Sequence, residues 1–216
     1  MTTIEHTAAW RDLRASGELG RFVVLCLGVW LHAADSLVTA TVVPAMVNEI
    51  GGIAYVGWTI SLYQIGAIVA GAATAMLCRR MGIKTVVIAA SLAYGAGCAF
   101  AALAPDMGFL LVARLVQGLG GGALITLTYV AIQQSFAEHL WGRLFGIVAM
   151  IWGVGSLLGP LIGGIFADLG TWRLAFWFFA AQGAIVAVMA MASLRALHEE
   201  KGKAGRWPLV PAIKVE

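Results

Sequence analysis

Charge is what this sequence has least of. Only 12% of its 216 residues are Asp, Glu, Lys or Arg, against about 25% in ordinary soluble domains. So few ionic groups cannot coat a water-facing surface, which excludes a cytosolic globular domain. The 61% hydrophobic content excludes a disordered chain. The net charge of +3 is small and the basic residues sit in short clusters between apolar runs, so nucleic acid is excluded as a partner. Cysteine is scarce too. Cys26, Cys78 and Cys98 are odd in number and form neither a metal-ligand spacing nor a disulfide framework. They read as small packing residues, and no metal or cofactor is expected. A cleavable signal is also missing. The first apolar run starts after residue 21 and is longer than a signal core of about 7–15 residues, so it reads as a retained span.

Long apolar runs are what the chain does have. Six of them cover 22–46, 54–77, 84–105, 108–132, 143–167 and 173–194. Each exceeds the roughly 20 residues that cross a ~30 Å hydrocarbon core. The reading is an all-α membrane protein, a six-transmembrane-helix bundle over 22–194 with tails at 1–21 and 195–216. No separate soluble domain fits in what remains.

Basic residues orient the bundle. Arg11, Arg14, Arg21, Arg79, Arg80, Lys84, Arg143, Arg195, Lys201, Lys203, Arg206 and Lys214 fall on one side, which is 12 of the 14. Arg173 alone falls on the other, and Arg114 lies within a span. Both tails are therefore expected in the cytoplasm. Glu49, Asp106 and Asp168 mark short connections on the outer side. Residues 7–19, with Trp10, Arg11 and Arg14, read either as an interfacial amphipathic turn or as a solvated tail.

Two ionisable residues lie well inside the spans, each at an insertion cost of about 2.5–3.5 kcal/mol at a helix centre. Asp35 falls ~20 Å from the inner face on an outward-running helix, and Arg114 falls ~9 Å from the outer face on an inward-running one. In a ~30 Å core these depths nearly coincide, so the two can pair. The pair reads as proton-coupling or substrate-binding, or as a structural ion pair. Removal from water favours the neutral acid while a nearby guanidinium favours the carboxylate, a balance that can change protonation as a cavity opens.

Polar neighbours extend the pattern. Spacings of three and four place His32, Asp35, Ser36 and Thr39 on one helix face. Gln117 lies one turn from Arg114, and Tyr63, Gln64 and Gln182 stand at comparable depth. His32 is either a proton relay or a histidine bonded within the bundle. Gly155, Gly159 and Gly163 form a small-residue stripe that permits close backbone approach. With Pro160 beside it, the stripe reads as packing alone or as a hinge. Gly118-Leu-Gly-Gly-Gly-Ala123 imitates a dinucleotide fingerprint, but no strand precedes it. Ser156 lacks the surroundings of a membrane serine protease. The chain is not expected to be an enzyme.

Read together, these stretches resemble the N-terminal half of a major facilitator superfamily transporter, on the drug:proton antiporter branch, over roughly residues 22–195. "LVARLVQGLGGGA" (111–123) is similar to that family's fourth-helix motif, with Arg114, Gln117, Gly118 and Gly120 in place. "GVGSLLGPLIGG" (153–164) is similar to its fifth-helix antiporter motif. "TWRLAFWF" (171–178), "WTISLYQ" (58–64) and Asp35 match the sixth, second and first helices. The order and spacing are also right. In "LCRRMGIK" (77–84), Gly82 and Lys84 fit the loop motif, but Arg79 stands where the family has an acid that helps latch the cytoplasmic side.

The resemblance implies a 3+3 inverted repeat, half of a major facilitator fold. It implies proton-coupled export of small amphipathic or cationic organic molecules across a cell membrane, with the bacterial inner membrane as the expected location. Asp35 and Arg114 would couple to protons. His32, Thr39, Tyr63, Gln64, Gln117 and Gln182 would line the substrate path. Gly82, Lys84, Gly155, Gly159, Pro160 and Gly163 would serve gating. The expected partners are lipid, substrate, protons and a second six-helix half, either a separate chain or a second copy. "RWPLVPAIKVE" (206–216) reads as the approach to a seventh helix. The alternative is a truncated or non-transporting membrane subunit.

Overall fold

The computed structural model describes residues 18–136 and 138–193. The expected tails fall almost wholly outside that range, as do residues 7–19. Six helices follow in order: α1 Glu18–Ile50, α2 Val56–Met81, α3 Ile83–Ala102, α4 Met107–Ser135, α5 Glu138–Asp168 and α6 Trp172–Ser193. No strand occurs among the described residues. All six are long and apolar enough to cross a membrane. The shortest, α3, has 20 residues, or ~30 Å at 1.5 Å per residue. In lipid every backbone group must be satisfied internally, and continuous helices do this.

Most helices run beyond the apolar stretch that announces them. α1 starts before residue 22 and ends past 46, and α5 starts at Glu138 rather than 143. Polar and aromatic residues at the ends stay helical because only hydropathy falls off there. α3 is the exception at its C-terminal end, stopping at Ala102 just ahead of Pro105.

The turns are short, so each helix runs back beside the others. Gly82 alone separates α2 from α3, at φ 80 and ψ 150, with its N–H on the Cys78 carbonyl. A side chain is strained at that φ. Gly82 is thus required for the turn itself, and Lys84 stands on the first turn of α3. Asp106 caps α4 by accepting from the Phe109 N–H at 2.9 Å, which satisfies one of the orphan donors of a helix start.

Packing repeats between the two sets of three. α1 packs on α5 as α4 packs on α2, and α1 touches α6 as α4 touches α3. α1 meets α4, and α3 meets α6, across the pseudo-symmetry. α1 and α4 are the most buried spans, and α5 and α2 the least. Glycines set the seams. A Cβ on Gly118 would meet the Tyr63 backbone, and one on Gly122 the Ala67 backbone. On the other side Gly155, Gly159 and Gly163 face Ala33, Leu37 and Thr41 of α1. The α5 stripe is therefore a packing seam, and α5 continues as helix through Pro160.

One end of the bundle is tied across three helices. Arg173, at the start of α6, pairs with Glu49 at 3.0 Å and donates to the carbonyls of Ala102 and Ala104 at the end of α3. The Trp172 indole N–H donates to Glu49 at 2.6 Å.

Candidate functional site

The central helices α1 and α4 bring Asp35 and Arg114 into direct contact. Arg114 Nη1 donates to Asp35 Oδ2 at 2.8 Å and to Gln117 Oε1 at 2.7 Å. Gln117 Nε2 closes the ring by donating to Asp35 Oδ1 at 2.8 Å. Arg114 Nε donates to the Thr59 carbonyl on α2 at 3.2 Å, and its guanidinium lies 4.3 Å from the centre of the Tyr63 ring. Both carboxylate oxygens are satisfied, which a buried ion pair needs if Coulomb attraction is to offset desolvation. Small residues permit this approach. A Cβ on Gly97 of α3 would fall 2.5 Å from the Gln117 backbone nitrogen.

The pair does not stand across an open, wet cleft. Asp35 is 0% exposed and Arg114 1%. Tyr63 and Tyr94 close over it from α2 and α3, and Cys98 accepts from Gln117 Nε2 at 3.0 Å. Thr39, one turn along α1, is fully buried, and its hydroxyl finds no hydrogen-bond partner among the described residues. His32 is the member nearest a surface, at 6% exposure. Its Nδ1 shares a 2.9 Å hydrogen bond with the Tyr63 hydroxyl, the two rings stack at 5.3 Å, and Trp152 of α5 meets it edge-on at 5.7 Å.

Two expected members lie elsewhere. Gln64 is exposed on α2, because adjacent helical residues diverge by ~100° and Tyr63 takes the inward position. Gln182 accepts from the Trp30 indole at 3.0 Å and belongs to the contact between α1 and α6. Ser36, on the expected face, bonds back to the His32 carbonyl. Sequence reasoning missed Tyr94, whose hydroxyl donates to the Leu31 carbonyl at 3.1 Å, and it missed Trp152. The one signal for Tyr94 was a phenol in a largely apolar span, which does not say which way the ring faces.

The described residues thus form a six-helix membrane bundle of two triplets, with one sealed acid–guanidinium pair between their first helices. The sequence matches the Major Facilitator Superfamily over residues 25–216, and the chain belongs to that family. Among its relatives is a probable multidrug-efflux transporter of Mycobacterium tuberculosis, 35% identical over 189 residues. That match takes in 88% of this chain and 39% of the relative. Multidrug resistance protein 3 of Bacillus subtilis is 28% identical over 167 residues, or 76% of this chain and 33% of its own length. The chain thus spans about two fifths or less of the curated relatives it matches.

Solved structures agree on the fold. A D-xylose–proton symporter superposes with a TM-score of 0.69 at 19% identity, over 85% of this chain and 52% of that one. A peptide transporter gives the same score at 21% identity, over 88% and 41%. The chain is thus a multi-pass membrane protein with the architecture of an N-terminal major facilitator half.

Proposed function

We propose that this bundle is the N-terminal half of a proton-coupled exporter of small amphipathic or cationic organic compounds. The observation that carries the proposal is the Asp35–Arg114–Gln117 ring, sealed in an apolar bundle. Ionisable residues at such positions mark transport pathways more often than scaffolding. The names of the multidrug relatives support the substrate class.

In this reading Asp35 takes up and releases the proton. Arg114 holds it as carboxylate in the arrangement seen here, and loses that hold when the half moves against its partner. Gln117 keeps both groups in register. Tyr63 and His32 face the substrate side. α5 would yield at the Gly159–Pro160 step, where the proline removes one helix hydrogen bond. The exposed apolar faces of α2 and α5, including Ile68, Val69, Leu157 and Leu161, are covered by lipid and by a second six-helix half. The protein sits in a cell membrane, the bacterial inner membrane, with both termini cytoplasmic, as the distribution of Lys and Arg directs.

The test is proton-driven efflux from vesicles carrying Asp35→Asn. Coupled efflux should be lost, with the protein still inserted and folded. Undiminished coupled efflux would remove Asp35 from the mechanism. Purification as an assembly of twelve spans supports the two-half arrangement, whereas an inactive single bundle contradicts it.

A further inference from the structure

Asp35 and Arg114 are both buried among the described residues, yet one side chain touches both the pair and the least buried residue of the network. Tyr63 is 1% exposed. Its hydroxyl holds His32 Nδ1 at 2.9 Å, and its ring carries the Arg114 guanidinium at 4.3 Å. His32 in turn is flanked by Trp152, on a helix that packs on the far side of α1. Three rings from α1, α2 and α5 thus converge beside the ion pair. The contact depends on a missing side chain. A Cβ on Gly121 of α4 would lie 2.8 Å from the Tyr63 hydroxyl and 3.1 Å from His32 Nδ1.

We infer that Tyr63 is the positioning residue that links ligand contact to the ion pair. A cationic aromatic ligand engages the partly exposed ring of Trp152, Trp152 moves against His32, His32 shifts its hydrogen bond with the Tyr63 hydroxyl, and the Tyr63 ring then holds Arg114 differently. Gly121 is the gap that allows this linkage to form. The inference rests on the exporter reading above and names the residue through which substrate and proton sense one another. A ring attracts a cation through its quadrupole, more weakly than a buried carboxylate does. That is enough for the Tyr63 ring to bias the hold on Arg114 without replacing Asp35. The titratable and charged groups around the pair are His32 on α1, Tyr63 on α2, Tyr94 and Cys98 on α3, and Arg114 on α4. α5 contributes Trp152, which does not titrate.

The experiment measures tetraphenylphosphonium binding to the protein in lipid nanodiscs from acid to alkaline pH. Wild type, Asp35→Asn, Tyr63→Phe, Gly121→Ala and Trp152→Ala are compared. Wild-type affinity should depend on pH, and D35N should abolish that dependence. W152A should weaken binding about tenfold at every pH. Y63F keeps the ring on Arg114 and loses only the hydroxyl. It should bind the cation within about threefold of wild type, yet show the flat pH profile of D35N, with thermal stability retained. A merely structural tyrosine would not produce that combination. G121A should flatten the profile as well. The three nearest atoms to its added methyl are side-chain atoms of Tyr63, His32 and Tyr94 rather than backbone, so it presses on the linkage itself and tests it independently of Y63F.

Wild-type pH dependence surviving in Y63F or G121A overturns the inference. Wild-type pH dependence surviving in D35N refutes the carboxylate's role, and the linkage to it falls with that role. No binding by wild type, or unchanged binding by W152A, removes the aromatic ligand face.

Discussion

Replacing Arg114 with Met removes the cation and leaves Asp35 stranded in a site that is 0% exposed. Gln117 Oε1 and the Thr59 carbonyl each lose a donor at the same stroke. Breaking a buried pair from one side costs about 3–5 kcal/mol, most of it from the uncompensated charge. Adding Asp35→Asn removes that charge. The Asn oxygen can still accept from Gln117 Nε2, so D35N/R114M should cost only about 1–2 kcal/mol, the scale of a few lost neutral hydrogen bonds. The second substitution should therefore restore about 2–3 kcal/mol, or roughly 30- to 150-fold in the folding equilibrium at 1.4 kcal/mol per tenfold. Reversible unfolding by dodecyl sulfate in mixed micelles measures all three variants on one scale. A double variant no more stable than R114M would refute the reasoning, because the penalty would then lie in packing volume rather than in the stranded acid.

The seams make a sharper contrast between positions of one residue type. Gly118→Ala should abolish folding, since its methyl would drive into the Tyr63 backbone, whereas Gly164→Ala, with nothing within 4 Å of the added carbon, should stay within about 0.5 kcal/mol of wild type. The yield of monodisperse protein in detergent separates the two. Asp106→Ala removes the α4 cap and should cost about 1 kcal/mol, read in the same unfolding assay, with transport unaffected.

Much of the fold could be read directly from hydropathy. Six runs separated by short polar breaks leave few other solutions in lipid. The Asp35–Arg114 contact was legible because depth along a helix follows from residue count alone. Rotation around the helix axis was harder. Tyr63 and Gln64 are neighbours in sequence, but only Tyr63 faces α4, and nothing in an apolar span announces which way it turns. Tyr94 and Cys98 were obscured for the same reason: both became site residues only once α3 had been placed against Gln117. The sealing of the pair depends on the tight seams at Gly97, Gly118 and Gly120. Glycine content suggests such seams, but only tertiary packing fixes them.

Three chain reversals far apart in sequence share the single guanidinium of Arg173. A shift of any one reversal therefore strains bonds to the other two. Displacement there either carries α1, α3 and α6 together or breaks bonds of this guanidinium, to Glu49 on one side or to the α3 carbonyls on the other. Two adjacent side chains of α6 thus hold one carboxylate of α1, and loss of the Arg173 contact alone leaves α6 fastened there by Trp172.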